Sequence, residues 1–201
     1  SYFFLRNLFK IKKIKIIFIS KELFKIYERR IGKPVSYIIA HDSSDDMYAQ
    51  RSIKNITNSK KLSVGYCGHL YKGRGTELIV KLAKKEKNIT FNILGGFIND
   101  KKKIINSIKI PKNVNFFPYK YYKNVGKFLL SNDILIAPYQ KKLGNYGEID
   151  TAKYMSPLKI FEYMSSKKAI ISSNHKVLKE VLKNNKNSIL CDPNILSHWT
   201  M

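Results

Sequence analysis

Two short stretches of this sequence place residue types at spacings that suit an anionic ligand. The first is Cys67-Gly68-His69-Leu70-Tyr71-Lys72-Gly73-Arg74-Gly75-Thr76. Its glycines let backbone amides approach a ligand closely, and it runs from a strand-like segment into a helix-like one. The helix start adds partial positive charge, and Arg74 adds a full one. This suits a phosphate, although the stretch is neither G-x-x-x-x-G-K-[ST] nor G-x-G-x-x-G. An ordinary glycine-containing strand-to-helix turn is the alternative. The second stretch is Ser156-Pro157-Leu158-Lys159-Ile160-Phe161-Glu162-Tyr163-Met164. Ser156 is a natural N-cap and Pro157 a natural first helical residue. Lys159 then falls in the first turn, where the helix dipole disfavours a cation unless an anion is near. Glu162 shares a face with Lys159, so a surface i,i+3 ion pair is the other reading. Leu158, Phe161 and Met164 are expected to face a core.

Weaker candidates lie elsewhere. Phe116-Phe117-Pro118-Tyr119-Lys120-Tyr121-Tyr122-Lys123 interleaves aromatics with lysine, which suits stacked bases but also fits a strand end followed by an amphipathic helix. His41, Asp42, Asp45 and Asp46 have no metal-ligand spacing, D-x-D is absent, and no metal site is assigned. Cys67 and Cys191 each sit in an apolar run and read as buried free thiols. His175 and His198 read as surface residues.

The elements that must position these residues follow a regular rhythm. Strands are expected at Leu62–Cys67, Ile89–Leu94, Val114–Phe117, Asp133–Ala137, Ala169–Ser172 and Ser188–Cys191. Helices are expected at Thr76–Lys85, Asp100–Ile108, Tyr122–Leu130, Pro157–Ser165 and Val177–Lys183, with a polar loop over Tyr139–Met155. Earlier, Ile14–Ile19 and Val35–Ala40 read as strands around a helix at Lys21–Arg30. Alternating strands and helices imply an α/β fold with a parallel sheet. Near-continuous apolar strands imply helices on both faces. Both candidate stretches then follow the C-terminal ends of strands, where open α/β sheets bind ligands. The polar, aperiodic stretch around 43–61 reads as a linker.

The 201 residues suffice for a core, and 44% hydrophobic content argues against disorder despite a net charge of +24. The arginines are Arg6, Arg29, Arg30, Arg51 and Arg74; the other basic residues are lysine. Lysine, isoleucine and asparagine share AT-rich codons, so compositional bias explains much of the charge. Attraction to an anionic membrane surface comes next and nucleic acid, which favours arginine, last. The first twenty residues are apolar but broken by Arg6, Lys10, Lys12, Lys13 and Lys15, so they match neither a membrane span of roughly 18 apolar residues nor a signal peptide.

Three stretches resemble the C-terminal, donor-binding domain of family-4 glycosyltransferases with the GT-B fold. They are VGYCGHLYKGRGTELIV, VNFFPYKYYKNVGKFLLSNDILIAPY and SPLKIFEYMSSKKAIISSNHKVLKEVLKNNKNSILCDP. Residues 14–42 resemble the closing strand, helix and strand of the family's N-terminal, acceptor-side domain. The resemblance implies a Rossmann-like parallel sheet, the C-terminal half of a GT-B fold, plus the tail of a second Rossmann-like domain. It implies boundaries of 1–42, 43–61 for the linker and 62–201 for the donor domain, and an incomplete enzyme. It implies that Gly68, His69, Arg74, Ser156, Pro157 and Leu158, with Lys159 helping, hold the donor diphosphate. Glu162 matches the second glutamate of E-x7-E, which binds ribose, and Tyr119 lies near the base. Two departures stand out: Tyr154 replaces the first glutamate, and His69 stands where many members have arginine. The implied reaction moves a sugar from a nucleoside diphosphate sugar to a glycan or lipid-linked hydroxyl, without a cofactor, in the cytoplasm or at the inner membrane face. The competing expectations are a basic nucleic-acid-binding module and a glycosyltransferase remnant that no longer binds donor.

Overall fold

A computed structural model describes residues 2–50, 61–142 and 151–200. The chain opens with a helix that the sequence reading did not assign, α1 (Tyr2–Leu8). Next come β1 (Ile16–Phe18), α2 (Lys21–Ile31) and β2 (Tyr37–Ile39). β1 and β2 pair in parallel as a two-stranded sheet. Phe9, Phe18 and Phe24 form its small buried core. Its Ile17 and Ile38, neighbours in register, are exposed. Within the expected linker, Tyr48–Gln50 is a 3-10 turn, and 51–60 lie outside the described residues.

The larger sheet is built from β3 (Ser63–Cys67), β4 (Thr90–Leu94), β5 (Val114–Phe117), β6 (Ile134–Ala137), β7 (Ala169–Ser173) and β8 (Ile189–Cys191). All six strands run parallel in the order β5-β4-β3-β6-β7-β8. Order therefore reverses between β3 and β6, which opens a crevice beyond their C-terminal ends. Strand side chains alternate between faces, and both faces are apolar, so two cores result. On one face Val64, Tyr66, Phe91, Ile93 and Ile136 pack on α3 (Thr76–Lys85) and on Ile104 of α4 (Ile98–Ser107). On the other, Leu94, Leu135, Ala137 and Ile170 pack on α5 (Val125–Leu130) and α6 (Leu158–Ser165). This is the α/β parallel sheet that the rhythm of the sequence implies, and the Rossmann-like sheet that the resemblance implies.

Three local readings need correction. Tyr122–Asn124 is a 3-10 turn leading into α5, not part of one continuous helix. Val177–Lys183 holds only a 3-10 turn, Leu178–Glu180, because Asn187 and Ser188 side chains bond the Val181 and Lys183 backbone in place of helical partners. α6 starts at Leu158, one residue late. Ser156 Oγ accepts the Asp42 N–H at 3.2 Å instead of capping the helix, and Pro157 is extended at ψ 113°. The buried face of α6 shifts accordingly. Lys159, Ile160 and Tyr163 turn inward, whereas Leu158 and Met164 are exposed.

The small sheet is fastened to the large one by polar contacts. Glu180 accepts the N–H groups of Lys21 and Glu22, at 2.7 and 3.0 Å, at the start of α2. Ser20 caps that helix by accepting from Leu23 and donates its hydroxyl to the Tyr154 carbonyl at 3.0 Å. Among the described residues, no helix is long and apolar enough to cross a membrane.

Candidate functional site

The crevice between β3 and β6 gathers most of the residues singled out from sequence. Gly68 follows β3 with φ +143°, and its N–H donates to the Leu94 carbonyl at 2.9 Å. A Cβ there would lie 2.8 Å from Lys159 Nζ, so glycine keeps the space above the strand end open. Gly75, at φ +85°, caps α3 where a Cβ would meet the Pro138 carbonyl oxygen at 1.9 Å. That close approach brings the start of α3 against the end of β6.

Two cations enter from two different connections and share one ring. The Arg74 guanidinium carbon is 5.7 Å from the Tyr139 centroid, and Lys159 Nζ is 5.2 Å from it. Arg74 also lies over Tyr71 and donates to its hydroxyl at 3.0 Å. Lys159 sits 3.8 Å above Tyr66. Its amine is aimed into the crevice although the residue is only 9% exposed. No ion pair joins it to Glu162; the surface i,i+3 pair anticipated for these residues does not form, since α6 turns Lys159 inward.

Among the described residues, four buried side-chain polar atoms lack a hydrogen-bond partner: Arg74 Nε, Thr76 Oγ1, Tyr139 Oη and Lys159 Nζ. Arg74, Tyr139 and Lys159 meet in this crevice, and Thr76 opens α3 directly after Gly75. Buried polar atoms are nearly always paired, so a cluster of unpaired ones marks a place built to meet something else. Here four donors, two of them on cations, point to an anion.

Titration follows from burial. Desolvation, opposed by Cys67 and reinforced by Arg74, brings Lys159 down to about 7. Desolvation, then Arg74 and Lys159, lowers His69 below the ordinary histidine value, so it is neutral at pH 7 and does not replace the arginine that the resemblance expects. Burial raises the Glu162 carboxyl against the pull of Lys159.

His69 stacks on Tyr71 at 5.1 Å, and its carbonyl accepts the Tyr66 hydroxyl at 2.6 Å. Ser156 is tied to Asp42, while Pro157 and Leu158 form the start of α6. Tyr119 follows the edge strand β5 and is 74% exposed, so it shares the sheet edge but not the buried cluster. Tyr154 lines a different cavity, of about 650 Å³, with Tyr2, Tyr27 and Arg30. His41, Asp42, Asp45 and Asp46 do not converge; the described residues contain no group of three His, Cys, Asp or Glu able to hold a metal. Cys67 and Cys191 are free, Cys191 buried and Cys67 partly so. Sequence reasoning included Thr76 in the first stretch without giving its hydroxyl a role, and missed Tyr66 and Tyr139. Only Tyr139 carried a signal, an aromatic directly after a strand that ends in proline.

Several solved structures share this fold. The chain is similar to a glycosyltransferase from Rickettsia africae, with 15% identity and a TM-score of 0.72, covering 97% of this chain and 54% of that one. It is similar to Anabaena Alr3699/HepE, solved in complex with UDP-glucose, with 13% identity and a TM-score of 0.68, covering 91% of this chain and 51% of that one. It is also similar to the C-terminal domain of the Francisella tularensis group 1 glycosyl transferase LpcC, with 20% identity and a TM-score of 0.53, covering 78% and 80%. The chain thus spans about half the length of the first two. No curated protein matches its sequence. Residues 49–198, well over half the chain, match the family model for glycosyl transferases group 1, and the chain belongs to that family.

Proposed function

We propose that the crevice between β3 and β6 binds a nucleoside diphosphate sugar, and that the chain is the donor-side part of a family-4 glycosyltransferase. The observation that carries this reading is the convergence of four unpaired buried polar atoms, two of them on cations, beside a glycine that keeps the space open. In sugar transfer the bond from the anomeric carbon to the diphosphate breaks, and charge builds on the leaving oxygen. Preorganised donors in a water-poor site stabilise that charge. Arg74, Lys159, the Gly68 loop and the start of α6 supply them. Glu162 accepts from the ribose hydroxyls, and Tyr119 borders the base. Anabaena HepE, solved with UDP-glucose, makes UDP sugars the first donors to test.

In this reading 1–42 is the tail of an acceptor-side domain, 43–61 the linker and 62–201 the donor domain. The acceptor is a glycan or lipid-linked hydroxyl met at the cytoplasmic face of a membrane. Protein cations meet the diphosphate charge, so no cofactor is called for, and binding is expected to be the same in Mg²⁺ and in EDTA.

Calorimetric titration with UDP-glucose, GDP-mannose and ADP-glucose tests the reading. One of them is expected to bind, and Arg74→Ala and Glu162→Ala are each expected to weaken it at least tenfold, as loss of a charge-assisted hydrogen bond of about 1.5–3 kcal/mol implies. Unchanged affinity in both folded variants would remove the site assignment. Tight binding of single-stranded nucleic acid with a steep salt dependence, and none of the nucleotides, would favour the nucleic-acid module instead.

A further inference from the structure

Lys159 combines deep burial with an amine that has no acceptor in the protein. The groups that face it are Tyr66 and Cys67 from β3, His69 and Arg74 from the following loop, Tyr139 after β6, and Glu162 along its own helix. At neutral pH the phenols and the thiol are uncharged, since burial pushes both tyrosines up and Cys67 to about 12. His69 is neutral as well. Arg74 opposes a second positive charge, and Glu162, the one carboxylate, stands beyond ion-pair distance. Two aromatic faces compensate a desolvated ammonium only in part. The protein therefore surrounds this amine with nothing that holds its proton firmly.

A diphosphate would reverse that balance. Its oxygens bring the missing acceptors and a charge opposite to both cations. We propose that Lys159 takes up a proton from solvent when the diphosphate of a sugar nucleotide binds, so that donor binding and protonation of this amine are one linked event. The inference rests on the donor-site reading above and adds the proton to it. The neutral amine gains one proton and becomes an ammonium with three N–H donors, of which the phosphate oxygens accept. Both phosphates of a sugar nucleotide are already fully ionised between pH 6 and 9, so the titrating group belongs to the protein. By linkage, proton uptake on binding makes the ligand's affinity fall with rising pH.

Calorimetry of the full chain at pH 8, in HEPES and in Tris, reads the proton directly because the two buffers differ in ionisation enthalpy. The probes are UDP-glucose, GDP-mannose and ADP-glucose. The ligand that binds is expected to take up close to one proton at pH 8 and almost none at pH 6, measured in MES and Bis-Tris. Its Kd is expected to rise about tenfold per pH unit above pH 8. Lys159→Arg, whose guanidinium is always charged, is expected to bind without uptake. His69→Gln is expected to keep the uptake, which assigns the proton to Lys159. Binding at pH 8 with no uptake, or uptake that survives in Lys159→Arg, would overturn the inference and leave the donor site standing. No binding of any of the three at either pH would overturn the donor-site reading and the inference with it.

Discussion

Arg74 and Lys159 reach the same tyrosine ring from two connections far apart in sequence, and that juxtaposition gives the site its chemistry. Lys159 is held near 7 in the folded chain and returns to lysine's usual range on unfolding. Between pH 7 and about 10 the unfolded chain therefore carries the extra proton, and this group's contribution to stability rises with pH through that window. Lys159→Met removes a buried cation, so the variant is expected to melt above the wild type at pH 7, with the gap closing toward pH 9. Thermal unfolding of both proteins at the two pH values checks this, and a gap that widens with pH would contradict it. Arg74 and Lys159 were legible in the sequence because each is a charge placed near the start of a helix, and Glu162 because it lies three residues after Lys159 and matches the second glutamate of E-x7-E. Tyr66 and Tyr139 were not. Their convergence depends on β3 lying beside β6, a pairing between strands that are not consecutive in the chain.

At the level of elements, glycine and polar caps decide how closely the segments approach. Gly75→Ala places a methyl group against the Pro138 carbonyl at a left-handed position, and chemical denaturation is expected to show a loss of more than about 1 kcal/mol. Gly68→Ala meets only the flexible end of Lys159 but sits at φ +143°, so it is expected to cost stability through backbone strain and to lose ligand affinity by displacing that amine. Glu180→Ala removes the acceptor for two N–H groups at the start of α2, and faster hydrogen exchange confined to Lys21–Ile31 is expected, with a loss of about 1–2 kcal/mol. The sequence made α3 readable at both ends because its apolar spacing and basic last turn agree. It misplaced the inward face of α6 because the Ser156 hydroxyl, an N-cap by local rules, is taken by the Asp42 backbone far away in sequence. It overcalled Val177–Lys183 because the Asn187 and Ser188 side chains end that turn, which periodicity does not register.

For the whole molecule, a six-stranded parallel sheet with its order reversing at β3 and β6 explains why the residues that matter sit at one edge. The two-stranded sheet with exposed Ile17 and Ile38 is held to it by Glu180, Ser20 and Asp42 rather than by a shared apolar core. The net charge of +24 adds a general attraction for anions, so a specific site must be separated from that background. Thermal unfolding in moderate salt, with UDP, GDP, ADP and their sugar conjugates, makes that separation most directly. A ligand at about 100 times its Kd should stabilise the fold by about 2.7 kcal/mol, a shift of roughly 5–10 °C for a chain of this size. One nucleotide family is expected to give such a shift, cut to about half or less in Arg74→Ala and in Glu162→Ala. A cooperatively unfolding wild type that shifts with none of them, or with all of them alike and equally in both variants, would contradict it.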